Sequence, residues 1–487
     1  MNLKRIFLVA FAVTIVAAVF SKGYHHFDEH FQLIEFANYK SGNTTYEKMP
    51  WEYKLQMRPT LQPTITYGIS ETLMTFGIEN PFVLPMVLRI LSGLLSLFLF
   101  WRLWKVYQHR IESETLRKWF VLLSLFTWFI VYNHVRFSSE NWSGMMFVFA
   151  AVYFVGEKRA LTKHFIFAGI FLGLSILFRY QSGFLVIGIF FWLAFIYRAK
   201  LKDLGLFVLV MVAVIGIGSL IDGWFYGEWT LAFWNYFYYN IIYGKAAGFG
   251  VQPWYYYFEQ GFIGMFPLIG LFFITAIVGS IAFRNKTLLT GRLSIWIWAI
   301  IPFILLHMYV GHKELRFLFP IVGALPFIAV EVLQAVHSKK PNLLNSRGFK
   351  VLVYLFWGIN LVFLLVICFK PATDKVALYQ EVYNKYDEPI ELYVIKSLVL
   401  PYAVSENYLM RDNVNIHYIA SVSEIDRDEN CLIAFEKTPD LKGLDDQCTL
   451  VFQSLPDIVY SINFGGWVER SRFWRLYEYE SLSEPDN

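Results

Sequence analysis

LGLFVLVMVAVIGIGSLI, residues 204–221, is an uninterrupted apolar run without a single charged side chain. An α-helix of about 20 such residues crosses the hydrocarbon core of a bilayer, so this stretch predicts a membrane-spanning helix. The whole chain has the same character: 56% of its 487 residues are hydrophobic, 16% are charged, and the mean hydropathy is +0.45. A water-soluble domain carries about 25% charged residues. The sequence therefore predicts a polytopic integral membrane protein.

Apolar stretches of comparable length bring the predicted number of spans to about eleven. The predicted spans are 4–21, 82–105, 119–135, 142–156, 164–178, 182–197, 204–221, 261–283, 293–310, 317–336 and 350–369. The first span follows Lys4 and Arg5 and has the outline of a signal peptide. No clear cleavage site follows it, so we expect a retained span with a cytoplasmic N-terminus.

The connecting loops test this count, because cytoplasmic loops are enriched in Lys and Arg. Every loop predicted to be inside is basic. These loops contain Lys105, Arg110, Arg117, Lys118, Lys158, Arg159, Lys163, Arg198, Lys200, Lys202, Arg284, Lys286, Arg292, Lys339, Lys340, Arg347 and Lys350. Residues 61–79 are moderately apolar but contain Pro63, Glu71 and two glycines. As a span they would move every later basic loop outside, so they predict an interfacial helix at the outer surface.

This orientation places five segments outside the cytoplasm. They are the first loop at 22–81, turns at 136–141 and 311–316, a loop at 222–260, and the tail from 370. The sequence thus predicts a membrane domain over 1–369 and a small extracytoplasmic α/β domain over 370–487. Short β-like runs in the tail lie at 392–395 and 431–435. Cys431 and Cys448 would be able to form a disulfide in an oxidising compartment.

Two acidic residues follow the first span by a few positions, and ionisable groups near a membrane boundary mark function by default. Asp28 and Glu29 are adjacent, and neighbours on an extended segment point opposite ways, so we expect at most one to face a reaction centre. A lone carboxylate suits the general base that deprotonates an accepting hydroxyl. The alternative is a pair of solvated loop acids. His25, His26 and His30 lie nearby without a metal-ligand spacing, so no metal is predicted.

A second polar cluster is GHKELRF, residues 311–317, held between two apolar runs. Lys313 and Arg316 in this short turn would be able to clamp a phosphate at the bilayer surface, with Glu314 orienting them. Basic residues in an outside turn also oppose the usual charge bias of membrane proteins. The alternative is that these long side chains only anchor the turn at the interface.

Further charged and aromatic residues lie on the same predicted side. Arg136, Glu140 and Arg179 are placed to hold a charged lipid headgroup or to pair with the first-loop acids. The loop 222–260 is rich in aromatic residues, which fit either an interfacial belt or packing against sugar rings and isoprene units. They include Tyr226, Trp254 and Tyr255.

Several function classes are disfavoured by charge and position. The net charge of +4 is dispersed and shows no basic cluster interleaved with aromatic residues, so no nucleic-acid partner is predicted. The strongest polar clusters lie at one interface, whereas transporters bind substrates near the bilayer midplane. A transporter or flippase of lipid-linked glycans would need ionisable groups across the membrane, for which Arg89 and Glu331 are the main candidates. A non-catalytic scaffold remains a third alternative.

At these motifs the sequence resembles a known family. HKELRFLFP, residues 312–320, is similar to the HKE-x-RF-x-x-P motif of the dolichyl-phosphate-mannose-dependent α-mannosyltransferases, glycosyltransferase family 22. Asp28-Glu29, followed by Gln32, Glu35 and Trp51-Glu52, resembles the family's first-loop pattern. The aromatic stretch from Asp222 to Phe258 resembles its long luminal loop in order and spacing. The resemblance covers about residues 24–320.

The resemblance implies a GT-C membrane fold and an inverting transfer of a hexose, usually mannose, from a polyprenyl phosphate to a glycan or glycolipid hydroxyl. It implies Asp28 as the base, with Glu29 as the second choice. The residues expected at the donor phosphate are His312, Lys313, Arg316 and Arg136. Those expected elsewhere around the substrate are Glu314, Arg179, Tyr226, Trp254, Tyr255 and Gln32. No metal or other cofactor is expected, because a phosphate leaving group carries its own charge.

The chain departs from the family pattern at several positions. Phe27 stands where the family often has Pro, and Pro59-Thr60 follow Arg58 where a Ser is expected. The tail from 370 has no recognisable match, and the chain closes without an ER-retrieval ending. These features are compatible with a bacterial relative. In that case the acceptor would be an envelope glycan or glycolipid, and the carrier would be undecaprenyl phosphate rather than dolichol.

Overall fold

The computed structural model describes residues 2–156, 159–282, 294–395, 411–426, 428–436, 447–455, 457–461, 463–466, 468 and 473–481. The helices before residue 283 are α1 (Leu3–Phe20), α2 (Asp28–Phe31), α3 (Ile34–Lys40), α4 (Trp51–Lys54), α5 (Leu61–Thr75), α6 (Val83–Tyr107), α7 (Glu114–Phe126), α8 (Trp128–His134), α9 (Ser139–Val155), α10 (Thr162–Phe178), α11 (Gly183–Phe191), α12 (Leu201–Tyr226), α13 (Ala232–Phe237), α14 (Tyr256–Gly264) and α15 (Pro267–Ala282). The later ones are α16 (Ile295–Tyr309), α17 (Leu325–Lys339), α18 (Arg347–Phe369), α19 (Asp374–Lys385) and α20 (Asp457–Ser461). A 3-10 segment over Leu315–Ala324 precedes α17.

Every predicted span falls on one or two of these helices. Among the described residues, five helices are long and apolar enough to cross a membrane, or six if α7 and α8, bent by 50°, form one broken span. The other predicted spans lie on shorter helices, such as α10 with 17 residues and α16 with 15. A helix of 15 residues is only about 22 Å long, below the usual bilayer core of about 30 Å, so the count of eleven stays a prediction. The loop residues Lys158, Arg284, Lys286 and Arg292 lie outside the described residues.

The break between α7 and α8 has a side chain that satisfies the freed backbone groups. Thr127 is extended there, and Asn360 of α18 donates to the Phe126 carbonyl at 2.7 Å and accepts from the Trp128 N–H at 2.9 Å. Within lipid, a broken helix needs such partners for its backbone. The break is therefore stabilised by a specific side chain. Helix α8 follows it and carries Tyr132, which contacts His25 of the first loop.

Helix α9 is the centre of the membrane domain, and nearly all of its side chains are buried. A Cβ on Gly144 would lie 2.5 Å from the Pro320 carbonyl oxygen, so only glycine permits this close contact with the 3-10 segment. The contact brings the first turn of α9, with Glu140, beside Arg316 at the start of that segment. This close backbone contact therefore positions two residues of the polar site described below.

The predicted interfacial segment forms helix α5, and the first loop before it contacts the end of α12. The Tyr226 hydroxyl donates to the Arg58 carbonyl at 2.9 Å, and Lys40 donates to the Trp224 carbonyl at 2.8 Å. These contacts hold the first loop against the carboxyl end of α12. Whether α5 lies at an interface stays a prediction.

The C-terminal part forms the small α/β domain expected from the sequence, with helix α19 beside a five-stranded sheet in the order β2-β1-β3-β5-β4. The strands are β1 (Ile390–Ile395), β2 (Val414–Ile419), β3 (Cys431–Phe435), β4 (Cys448–Gln453) and β5 (Arg475–Tyr479). Strand β1 is parallel to β2 and β3, whereas β5 is antiparallel to β3 and β4.

The register of the sheet contradicts the predicted possibility of a disulfide between Cys431 and Cys448. Cys431 and Cys448 both pair opposite Tyr479, but from opposite sides of β5, and no disulfide joins them. Two strand spacings separate them by about 10 Å, beyond the Cα distance of about 7 Å that a disulfide tolerates.

The C-terminal domain is fastened to the start of the first loop. The Ala372 N–H donates to the Lys22 carbonyl at 2.7 Å, and the Thr373 hydroxyl donates to the Tyr24 carbonyl at 2.6 Å. Phe82, at the end of the same loop, packs in the core of that domain. The first loop therefore has a fixed position relative to the sheet.

Candidate active site

The guanidinium of Arg316 lies at the centre of a buried polar cluster. Its Nη1 donates to Asp28 Oδ2 at 2.7 Å and to Glu140 Oε1 at 2.9 Å, and its Nε donates to Glu314 Oε2 at 2.6 Å. The Arg316 side chain is only 8% exposed. The structure thus brings the first-loop acid and the 311–317 turn together around one cation, and charge-assisted bonds of this length are among the stronger ones in proteins.

Asp28 has further polar neighbours and keeps some access to solvent. Arg58 Nη2 lies 3.8 Å from its Oδ2, His26 Nδ1 lies 3.4 Å from its Oδ1, and its side chain is 19% exposed. Burial raises the pKa of Asp28, but Arg316, His26 and Arg58 together hold that pKa well below its usual value. Asp28 is therefore ionised at neutral pH, as a general base must be before it accepts a proton.

The cluster continues through Glu140 to Arg179. Arg179 Nη1 donates to Glu140 Oε1 at 2.7 Å, so Arg179 and Arg316 share one carboxylate oxygen. Among the described residues, this network contains four carboxylates, namely Asp28, Glu52, Glu140 and Glu314, and three guanidiniums, namely Arg58, Arg179 and Arg316. Because the carboxylates outnumber the guanidiniums by one, an incoming phosphate would compete with carboxylates for these arginines.

Glu29 belongs to a different cavity. Asp28 and Glu29 are successive residues of the one-turn helix α2, so the extended segment assumed from the sequence is wrong, although the two carboxylates do diverge. Glu29 lines a cavity of about 300 Å³ together with Lys22, Arg89 and Gln380. Burial raises the pKa of Glu29 to about 7. This value is nearer to physiological pH than that of Asp28, which keeps Glu29 as the second candidate base.

Lys313 holds the backbone of the turn and does not join the Arg316 cluster. Its ammonium donates to the carbonyls of Gln252 at 2.9 Å, Gly311 at 3.3 Å and Val310. An ammonium has three donors, and these three bonds use them. The expected phosphate contact would require these bonds to break, so Lys313 supports the turn in this structure and its contact with a phosphate stays a prediction.

Arg136 likewise binds backbone. It donates to the Gly23 carbonyl at 3.0 Å, to the Ser21 carbonyl at 2.7 Å and to the Ser21 hydroxyl. A cation at the carboxyl end of α1 is favoured by the helix dipole. Arg136 therefore positions the start of the first loop, and its expected contact with a phosphate stays a prediction.

The remaining predicted residues surround the cluster at different distances. His312 Nε2 lies 2.9 Å from Glu314 Oε1, so it orients that carboxylate. Gln32 donates to Glu52 at 3.4 Å. Tyr226 bonds the Arg58 carbonyl and so supports the loop that carries Arg58. Tyr255 is 49% exposed.

An apolar cavity of about 360 Å³ opens beside the cluster. Its wall includes His25, Trp254 and Leu315. In the sequence, His25 is three residues before Asp28, and Leu315 is next to Arg316. Among the described residues, its lining contains no Asp, Glu, Lys or Arg side chain. Such a cavity fits a hydrocarbon chain better than a sugar.

The three first-loop histidines point to separate partners. His25 Nδ1 lies 3.2 Å from the Tyr132 hydroxyl, His26 lies between Asp28 and Glu314, and His30 pairs with Glu35 at 2.9 Å. In the part of the chain that the structure describes, no group of three or more His, Cys, Asp or Glu side chains is arranged to hold a metal ion.

Arg58 is the site residue that sequence reasoning missed. It lies within 4 Å of both Asp28 and Glu52, in a loop otherwise read only as a departure from the family pattern. Its one sequence signal is a lone arginine just after the Trp51-Glu52 element. A contact across 30 residues that form only short helices and turns has no periodicity from which to predict it.

The fold and this cluster define a membrane protein of the GT-C class. The chain is similar to two structures of ArnT from Cupriavidus metallidurans, one bound to undecaprenyl phosphate (TM-score 0.55, 13% identity) and one in the apo state (TM-score 0.54, 11% identity). Each similarity covers 99% of this chain and 98% of the other. At this level of identity the similarity shows the fold, and the expected GT-C architecture is confirmed.

The chain belongs to the Alg9-like mannosyltransferase family, which it matches over residues 5–396. It is 25% identical to the mannosyltransferase APTG1 of Arabidopsis thaliana over 323 residues, which are 66% of this chain and 56% of that protein. It is also 25% identical to the GPI alpha-1,2-mannosyltransferase 3 of Bos taurus over 343 residues, which are 68% of this chain and 59% of that protein. The chain thus spans less than two thirds of the length of these relatives. The family expected from the motifs is confirmed.

Proposed function

We propose that this protein is an inverting glycosyltransferase that moves mannose from a polyprenyl-phosphate carrier to a hydroxyl of a glycan or glycolipid. The observation that carries the proposal is the 2.7 Å contact between Asp28 and Arg316 beside an apolar cavity. One side of this arrangement suits a lipid chain, and the other supplies a base and a cation. The names of the family and of its relatives support mannose as the sugar.

The donor would bind with its polyprenyl chain in the apolar cavity and its phosphate at Arg316. The guanidinium suits a phosphate because its planar fork matches two phosphate oxygens. The undecaprenyl phosphate bound to ArnT, a protein of the same fold, supports a carrier of this kind. The phosphate would compete with Asp28 for Arg316, since Nη1 of that residue now binds the carboxylate.

This competition would activate the base. As Arg316 turns to the phosphate, Asp28 loses its main partner, its pKa rises, and it becomes a stronger proton acceptor. The acceptor hydroxyl oxygen then attacks the anomeric carbon while the bond from that carbon to the phosphate oxygen breaks. The hydroxyl proton goes to Asp28, and the polyprenyl phosphate leaves with its bonding electrons. A single in-line displacement inverts the anomeric centre.

The contacts of the intramembrane ionisable residues favour a transferase over a flippase. Arg89 donates to the Ala18 carbonyl at 2.7 Å, and Glu331 accepts a hydrogen bond from the Tyr107 hydroxyl. Each has its own local partner, whereas a translocation path would present such groups to one channel. The site would lie on the extracytoplasmic face, with the N-terminus in the cytoplasm, in agreement with the basic inside loops.

The test is a transfer assay with purified protein, polyprenyl-phosphate-[³H]mannose and a glycolipid extract as acceptor. We expect Asp28→Asn to lower the turnover by roughly 100-fold or more, the usual contribution of a general base. Asp203→Asn, at the first turn of α12, is the matched control and should keep full activity. A chelator should have no effect, and a chelator-sensitive reaction would contradict the metal-independent mechanism. Full activity of Asp28→Asn would contradict its role as base.

A further inference from the structure

A wide cleft separates the first loop from the C-terminal sheet. It has a volume of about 990 Å³, and its walls come from the α3 region and the segment before α6 on one side and from strand β2 on the other. The two walls have a fixed spacing, because residues 22–24 and 372–373 are joined by hydrogen bonds. A volume of this size accommodates a ligand of several sugar rings.

The polar lining of the cleft disfavours two ligand classes. It contains two basic side chains, Lys48 and Arg411, against three acidic ones, Glu35, Glu79 and Asp412. This balance does not favour a polyanion, and the wall has far more polar surface than the apolar cavity near Leu315, which disfavours a hydrocarbon chain. The other polar lining groups are amides and hydroxyls, which bind neutral polyhydroxylated molecules through paired hydrogen bonds.

The side-chain oxygen of Asn38, a residue in the wall of the cleft, lacks a hydrogen-bond donor. Asn38 is only 6% exposed, and its Nδ2 donates to Glu35 Oε2 at 3.4 Å. Its Oδ1 is buried and has no hydrogen-bond partner. A buried carbonyl oxygen without a donor is rare in folded proteins and costs stability, so a ligand that donates to it would be favourable once the side chain turns towards the cleft. A sugar hydroxyl is such a donor.

The wall of the cleft is also hydrogen-bonded to the short helix that carries Asp28. Glu35, in its wall, pairs with His30 at 2.9 Å, and His30 is two residues from Asp28 on the short helix α2. The opposite wall is β2, the edge strand of the sheet, whose Asn415 side chain is exposed in the cleft. A ligand between these walls would extend from the C-terminal domain towards the loop that carries the base.

We propose that this cleft binds the glycan part of the acceptor, with Asn38 on the loop wall and Asn415 on the sheet wall as contacts. The inference rests on the proposed function and assigns the C-terminal domain a part in acceptor recognition. It places the acceptor at the junction of the two domains and the lipid donor in the separate apolar cavity.

The test measures binding of α-mannotriose by saturation-transfer NMR to full-length protein in nanodiscs. The Asp28→Asn background prevents turnover. We expect a millimolar interaction that becomes about tenfold weaker in Asn38→Leu, the effect of losing one buried hydrogen bond. Asn415→Trp should block the same site from the opposite wall without disturbing the core, since Asn415 is exposed. Asn342→Leu, an exposed asparagine beyond the far end of α17, is the matched control and should bind as the parent does.

The outcomes separate the inference from the proposed function. Mannotriose binding that is equal in the parent and both cleft variants, or absent from the parent, overturns the inference. The proposed function would still stand if the wild-type protein transferred mannose. Binding that is lost in both cleft variants supports the cleft as a glycan site, and it would do so even if the transfer assay failed.

Discussion

At the scale of single residues, the function proposed here depends on how one guanidinium is shared. Arg316 contacts Asp28, Glu140 and Glu314 through two nitrogen atoms, an arrangement that only a planar fork of donors allows. A lysine would keep the charge but would hold these carboxylates less well and would bind a phosphate through a single point. The geometry of the group, beyond its charge, should therefore matter.

We predict that Arg316→Lys lowers kcat by about 100-fold, the size of effect seen when one group that stabilises developing charge is removed. The measurement is steady-state transfer from polyprenyl-phosphate-mannose, with Arg5→Lys at the exposed N-terminal end of α1 as the control. Activity of Arg316→Lys within a few-fold of wild type would show that charge alone is sufficient.

A second residue-scale prediction concerns Glu29. Its pKa is raised from 4.5 in the unfolded chain to about 7 in the folded protein, mainly by burial. Between these values the folded state binds more protons than the unfolded state, so the stability contributed by Glu29 is present below pH 4.5 and is lost as the pH rises to about 7. We expect the Tm of wild type to fall relative to that of Glu29→Gln across this range.

Thermal unfolding in detergent at one scan rate and a series of pH values measures this difference. Glu114→Gln, whose side chain is 68% exposed, is the control and should give a curve parallel to that of wild type. A Glu29→Gln curve that is also parallel would show that Glu29 has an ordinary pKa.

The sequence predicted part of this site and missed part of it, for physical reasons. Ionisable residues at apolar boundaries are costly, so Asp28 and Arg316 were identifiable from the sequence alone. The same argument also selected Lys313, because a sequence pattern does not tell whether a buried cation meets a ligand or a backbone carbonyl. The Lys313 donors are bonded to carbonyls of its own turn and of Gln252.

At the scale of elements, the hydrophobic runs predicted helices well, because each run must satisfy its own backbone in lipid. The break at Thr127 was not predicted, since its partner, Asn360, is more than 200 residues away. The short helix α2 was also missed, because a single turn has too few residues to show a 3.6-residue period.

The junction between the first loop and the C-terminal domain provides an element-scale prediction. Gly23 has φ +80°, and a Cβ there would lie 2.7 Å from the Thr373 Cβ. Gly42 in the same loop has φ +81° with no atom within 4 Å of such a Cβ. Alanine at either position should cost about 1 kcal/mol for the left-handed backbone. Only Gly23→Ala should also cost about 2 kcal/mol for the clash.

Thermal unfolding should therefore give a clearly lower Tm for Gly23→Ala than for Gly42→Ala. Because the clash displaces the loop that carries Asp28, Gly23→Ala should also lose transfer activity, whereas Gly42→Ala should keep it. Equal Tm values for the two variants would show that the junction with Thr373 does not contribute to stability.

At the scale of the whole molecule, contacts between distant segments constrain the topology. Residues that touch at a membrane surface lie on the same side, so an even number of spans must separate them. Arg58 contacts Tyr226, Tyr24 contacts Thr373, and Asp28 contacts Arg316. With the predicted spans, these pairs are separated by six, ten and eight crossings, which are all even. Counting α5 as a further span makes every one of these numbers odd, because all three pairs enclose it.

This parity gives a prediction for labelling with a membrane-impermeant maleimide in a variant without the native cysteines. Glu47 precedes α5 and Glu228 follows α12, and both residues are exposed. If α5 does not cross the membrane, Glu47→Cys and Glu228→Cys are labelled from the same side. Lys200→Cys and Lys339→Cys, in predicted inside loops, are labelled only after the membrane is opened.

If α5 crosses the membrane, Glu228 lies on the side opposite Glu47. The hydrogen bond between Gln56 and Glu228 does not permit this in one folded molecule. Labelling of positions 47 and 228 from opposite sides would therefore contradict the predicted topology. It would also contradict a site shared by Asp28 and Arg316.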